Sequence, residues 1–70
     1  MNIKTEQFFS IMQDDTKIVV QYTPGEGWEV YYKRQGFPLL FAFGLPAVHS
    51  IGEVFDIGIK NIPQYEDLFE

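Results

Sequence analysis

The chain contains no cysteine and only one histidine, His49. These two shortages narrow both how it can hold together and what chemistry it can do. A domain of 70 residues buries only about 60% of the surface its unfolded chain exposes, so its stability is marginal. Domains this small usually add a disulfide, a structural metal, a partner or an unusually dense core. Without cysteine there is no disulfide, which argues against a stapled secreted domain. A zinc site would have to complete its ligand set around His49 with carboxylates or solvent, which is poor zinc chemistry. A dense core or an association with a second molecule remains.

Basic residues are scarce as well. Five face ten acids, for a net charge of −5. Met1 to Phe43 carry five acids and four bases, whereas Gly44 to Glu70 carry five acids and one base. A duplex binder neutralises phosphates with Lys and Arg, so duplex nucleic acid is not an expected partner. Long apolar runs are also missing. The longest, Phe37 to Val48, holds two prolines and is too short to span a bilayer. The segment Met1-Asn2-Ile3-Lys4-Thr5-Glu6 has no secretory-leader pattern, so the expected location is the cytoplasm, with no membrane association. Pro24-Gly25-Glu26-Gly27 is glycine-rich. It lacks the Lys-Ser/Thr of a phosphate loop and reads as a hairpin turn. No cofactor and no metal is expected. There is no internal repeat or linker, so residues 1–70 are read as one domain.

What the chain does have is apolar bulk: 46% of its residues are apolar and 17% aromatic, with seven Phe. That composition suits burial at roughly 25 cal/mol per Å² of apolar surface and excludes a disordered chain. The spacing of Phe8, Phe9, Ile11 and Met12 predicts a short helix over Glu6–Gln13, capped by Thr5 and ended by Asp14-Asp15. Lys17–Thr23 alternates, with Ile18, Val20 and Tyr22 on one face. Trp28–Lys33 alternates too, setting Trp28, Val30 and Tyr32 against Glu29, Tyr31 and Lys33. A third strand is predicted over Phe37–Phe43, with Phe37, Leu39, Phe41 and Phe43 on one face and Leu40 and Ala42 on the other. Pro38 puts that strand at a sheet edge.

Ser50-Ile51-Gly52-Glu53 fits a capping box. Beyond it, Ile51, Val54, Phe55, Gly58 and Ile62 share a helical face, with Glu53, Asp56 and Lys60 opposite. Alternation of Phe55, Ile57 and Ile59 would suit a strand. The capping box and the clustered polar face favour a helix, ending near Asn61 because of Pro63. A last helical turn or two follows, with Tyr65, Leu68 and Phe69 packing back. The expected fold class is α+β: a three-stranded antiparallel meander with helices on one face, in the order α-β-β-β-α. That order is similar to the one in double-stranded-RNA-binding domains, and strand-strand-strand-helix is similar to small antitoxin-type domains. The first family needs a basic helix N-terminus, where this chain has Glu53 and Asp56. An element order does not by itself imply a function.

Few residues invite chemistry. His49 lacks an identifiable orienting acid for a general-base role and reads as a loop residue beside the helix. Asp14-Asp15 and Glu66-Asp67 lack the spacing of a calcium loop and suit turn formation. Trp28, Tyr31, Tyr32, Lys33, Arg34 and Phe37 form the one basic and aromatic cluster. Tyr31, Lys33 and Arg34 could serve a single-stranded nucleic acid, but alternation splits the cluster between two faces. If helices cover one face of the sheet, the other still carries Leu40, Ala42, Val19 and Tyr31, and an apolar patch of that kind marks an interface unless the C-terminal segment folds over it. The acidic residues Glu53, Asp56, Glu66 and Asp67 suit a basic partner or serve solubility alone. The expected function is a non-enzymatic accessory protein acting by protein–protein contact, with a basic partner or a second copy of the chain.

Overall fold

The computed structural model describes residues 7–70. Along the chain run β1 (Gln7–Gln13), β2 (Thr16–Thr23), β3 (Gly27–Lys33), β4 (Leu40–Leu45) and α1 (Ile51–Asn61), followed by a 3-10 segment, Ile62–Phe69. The four strands form one antiparallel sheet in the order β1-β2-β3-β4.

The first element corrects the expected helix. Gln7–Gln13 is a strand paired along its whole length with β2, from Gln7↔Tyr22 to Gln13↔Thr16. Asp14 and Asp15 are its hairpin loop. Asp14 adopts φ 57°, a left-handed conformation that Asp tolerates better than most residues and that tight two-residue hairpins use. An isolated helix of eight residues is marginal in water, whereas the hairpin gains a full ladder. The order is therefore β-β-β-β-α, and the likeness in element order to double-stranded-RNA-binding domains lapses. Thr5 and Glu6, assigned to the helix cap and first turn, lie outside the described residues.

β2 and β3 follow their predicted alternation. Ile18, Val20, Val30 and Tyr32 are sealed from solvent, Trp28 nearly so, and with Val54 of α1 they form the core. The turn between the two strands closes through a hydrogen bond from the Glu26 N–H to the Thr23 carbonyl. Gly27 then takes φ 116°, and a β-carbon there would collide with the Leu45 carbonyl oxygen. Only glycine lets β3 start so close to the end of β4.

β4 begins at Leu40 rather than Phe37. It is an edge strand, as Pro38 implied, with Pro38 lying just ahead of it. A bulge interrupts its ladder: Val30 pairs with Phe43, but the next residue, Tyr31, pairs with Phe41. Ala42 is the extra residue. The bulge breaks the strict two-residue period. Phe43 therefore lies opposite a core residue while Phe41 lies opposite an outward-facing one.

α1 has the predicted capping box. The Ser50 side chain accepts from the Glu53 N–H at 3.2 Å, and the Glu53 carboxylate accepts from the Ser50 N–H at 2.8 Å. That second bond holds the Glu53 carboxyl below its usual pKa. The helix packs on β2 and β3. Gly58 lies at the close approach: a β-carbon there would stand 3.2 Å from Ile18 Cγ2, so that Ile18 would have to shift by a few tenths of an ångström. The Tyr32 hydroxyl donates to the Gly58 carbonyl at 2.6 Å. Burial, reinforced by nearby Tyr65, pushes the Tyr32 phenol up to about 12. The 3-10 segment packs back as expected through Tyr65, whose ring stacks on Phe43 and meets Tyr32. Leu68 stays exposed.

Candidate interaction surface

Helix and 3-10 segment lie on one side of the sheet, and among the described residues no element covers the other side. Its residues follow from the ladder registers. The central row runs Ser10, Val19, Tyr31, Phe41 across the four strands. Towards one end comes Phe8, Gln21, Glu29, Gly44, and towards the other Met12, Lys17, Lys33. Phe8, Met12 and Phe41 are large apolar side chains at 52%, 61% and 55% exposure. Tyr31 meets Phe41 edge to face at 5.5 Å between ring centroids, and its hydroxyl donates to Glu29 Oε1 at 3.0 Å. Lys17 and Lys33 lie directly opposite each other, an arrangement that like charges oppose.

This surface differs from the predicted one in its third-strand residues. Leu40 pairs with the buried Tyr32 and is half-buried on the covered side. Ala42 packs against the core. Tyr31 and Val19 lie on the bare face as expected. Phe41, Phe8 and Met12 complete it, and all three were assigned elsewhere: Phe41 because nothing in a sequence marks the bulge, Phe8 and Met12 because their strand was read as a helix. Of the C-terminal aromatics, Phe69 reaches the rim of this side, beside Met12, Lys17 and Lys33. Tyr65 packs on the helix side, and Phe69 lies against Phe37, its ring edge-on at 5.2 Å.

Arg34 is fully engaged. Its two terminal nitrogens hold Glu66 in a fork at 2.8 Å each, and its Nε donates to Thr16 Oγ1 at 2.8 Å. The guanidinium also sits 4.5 Å over the Phe69 ring, with Asp15 Oδ1 at 3.7 Å. The Glu66 bonds raise the Arg34 pKa and lower that of Glu66. This cluster ties the 3-10 segment to the sheet. Of the four acidic residues singled out in the sequence, Glu53 is spent in the capping box and Glu66 on Arg34, whereas Asp56 and Asp67 are exposed.

The His49 imidazole has Glu53 Oε1 at 3.7 Å, an acid the sequence did not place beside it, and its carbonyl accepts from the Trp28 indole N–H at 2.9 Å. Among the described residues no group of three His, Cys, Asp or Glu could hold a metal ion, and no helix is long and apolar enough to cross a membrane. The surface depressions are open. One of about 610 Å³ is bordered by Met12, Lys17, Lys33, Arg34 and Phe37; another of about 540 Å³ is bordered by Glu26, Glu29 and Phe41. No protein-family model matches the chain, and neither curated proteins nor solved structures give a significant match.

Proposed function

We propose that the chain is a non-enzymatic interaction module of the cytoplasm that binds a basic protein through the bare face of its sheet. The observation that supports this is the contiguous row of Val19, Tyr31 and Phe41, flanked by Phe8 and Met12, with Phe41 more than half exposed. Small monomers seldom leave such a patch open without a use for it. Tyr and Phe are also residues that anchor interfaces. The net charge of −5 adds long-range attraction for a positively charged partner and acts mainly on the association rate.

The test compares the tagged chain with its Phe41→Glu and Val19→Lys variants in affinity capture from its source lysate, with quantitative mass spectrometry. A basic protein depleted at least tenfold by both variants, each with wild-type circular dichroism, supports the reading. Equal recovery on all three baits refutes it. A charge at Leu40, on the covered side, would disturb packing and is not the right probe.

Lys17 and Lys33 beside the Tyr31–Phe41 pair favour a second reading, single-stranded nucleic acid stacked on the same face. Arg34 would contribute little, because Glu66 already holds its guanidinium. Oligonucleotide binding that weakens with salt and is reduced by Lys33→Ala would support that reading. Absence of binding at low salt removes it. Catalysis by His49 would be ended by a His49→Ala variant with full function.

A further inference from the structure

The two edges of the sheet are built differently. At β4, Pro38 precedes the strand, Ala42 bulges within it and Pro46 follows it, three devices that discourage another strand from pairing there. At β1 there are none. Gln7-Phe8-Phe9-Ser10-Ile11-Met12-Gln13 holds no charge, no proline and no glycine, and its ladder to β2 is unbroken. Among the described residues nothing pairs with its outer edge.

We propose that β1 pairs antiparallel with β1 of a second copy of this chain, about a two-fold axis through Ser10, to give a continuous eight-stranded sheet. The sequence of β1 is close to a palindrome in chemistry. Centred on Ser10, the pairing sets Phe8 opposite Met12 of the other copy, Phe9 opposite Ile11 and Gln7 opposite Gln13. A two-fold axis normal to the sheet keeps the faces in step. Phe9 and Ile11, on the helix side opposite Val20 and Ile18, meet their own kind, and so do Phe8, Ser10 and Met12 on the bare side.

The backbone groups are also in phase. In a two-residue hairpin the residues flanking the loop form a hydrogen-bonded pair, and bonded pairs alternate from there. Gln13, Ile11, Phe9 and Gln7 therefore bond to β2, while Met12, Ser10 and Phe8 aim N–H and C=O outward. Ser10 against Ser10, and Phe8 against Met12, are the pairs that the proposed ladder needs bonded.

The pairing also covers surface that α1 leaves open. The helix packs on β2 and β3, so Phe9 on the same side is still 39% exposed. A seven-residue ladder is a small contact, so the dimer belongs to the weak, micromolar class.

The experiment is sedimentation velocity over a concentration series from micromolar to millimolar, on the wild type and two double variants. Both variants carry Met12→Glu, whose carboxylate is opposite Lys17 within the chain. One adds Phe8→Glu, which sets carboxylate against carboxylate across the two-fold axis. The other adds Phe8→Lys, which sets ammonium against carboxylate. Position 8 faces the neutral Gln21 within the chain. The two monomers carry −7 and −5 by addition to the native −5. Both are therefore run at about 0.15 M salt, where repulsion beyond about 8 Å is screened, and both are checked for wild-type circular dichroism. The expected result is a wild type that reaches twice the 8.2 kDa monomer mass and a Phe8→Glu/Met12→Glu variant with at least a roughly tenfold higher dissociation constant than Phe8→Lys/Met12→Glu. A wild type that stays monomeric throughout, or two double variants with equal dissociation constants, overturns the proposal. Neither result depends on Phe41, so failure here leaves the partner-binding reading of the bare face to its own test.

Discussion

Val19 and Val20 are adjacent and chemically identical, and so are Tyr31 and Tyr32, yet in each pair one side chain is sealed and the other faces the bare side of the sheet. Val20 and Tyr32 lie under α1, where every atom has a neighbour and the phenol has a single partner in the Gly58 carbonyl. Val19 and Tyr31 lie on the open side among lysines, a glutamate and exposed phenylalanines. The pairs show how the same residue type can hold the fold together or stand ready for a second molecule, depending on which way a two-residue period turns it.

Truncation separates the two sides most sharply. Val20→Ala leaves a cavity in a closed core and should lower stability by about 2–3 kcal/mol, whereas Val19→Ala, half-buried in a central strand, should cost about 1 kcal/mol or less. Denaturant melts of the two variants measure the difference, and similar losses would mean that the bare face is in fact packed. The tyrosines should differ less. Tyr32→Phe removes a buried hydrogen bond to the Gly58 carbonyl and should cost about 1–1.5 kcal/mol, whereas Tyr31→Phe should stay within about 0.5 kcal/mol.

Alkaline pH sharpens the same contrast. The Tyr32 phenol is raised from 10.0 to about 12, so the folded state favours the protonated form. Its contribution is complete below the unfolded pKa and is lost as pH rises from about 10 to 12. Spectrophotometric titration should show a phenol ionising near pH 12 that Tyr32→Phe removes, and the variant should flatten stability across that window.

The smallest effect belongs to the Arg34 cluster at the rim between the two sides. Glu66 has a lowered pKa, so its share of stability is present above the unfolded carboxylate pKa and fades as pH falls through the lower folded value. Glu66→Gln should remove that acid limb and make thermal stability less sensitive to salt, as expected for an exposed pair.

Much of this division was legible in the sequence. The alternation of β2 and β3 set Ile18 and Val20, and likewise Val30 and Tyr32, on the face opposite Val19 and Tyr31, and the first set forms the core. Ser50 and Glu53 gave the start of α1, and Pro63 its end near Asn61. β1 was hidden because Phe8, Phe9, Ile11 and Met12 satisfy a helical stripe as well as a strand, and only pairing with β2 decides between them. The bulge at Ala42 was hidden because it arises from the fit of β4 to Tyr31 and leaves no local mark. Phe41 and Leu40 were consequently assigned to the wrong sides; of the four sheet residues singled out, Val19 and Tyr31 lie on the open side and Leu40 and Ala42 on the covered one.

The indole of Trp28 donates to the His49 carbonyl, just ahead of the Ser50 cap, and stands 4.9 Å from the Tyr22 ring. It is the chain's only tryptophan. The molecule thus carries an intrinsic fluorophore at the point where the polypeptide leaves the sheet to begin α1. Its emission should shift to the red when that segment lifts away, even if the strands stay paired, so a single optical signal can time the release of the helix apart from the melting of the sheet.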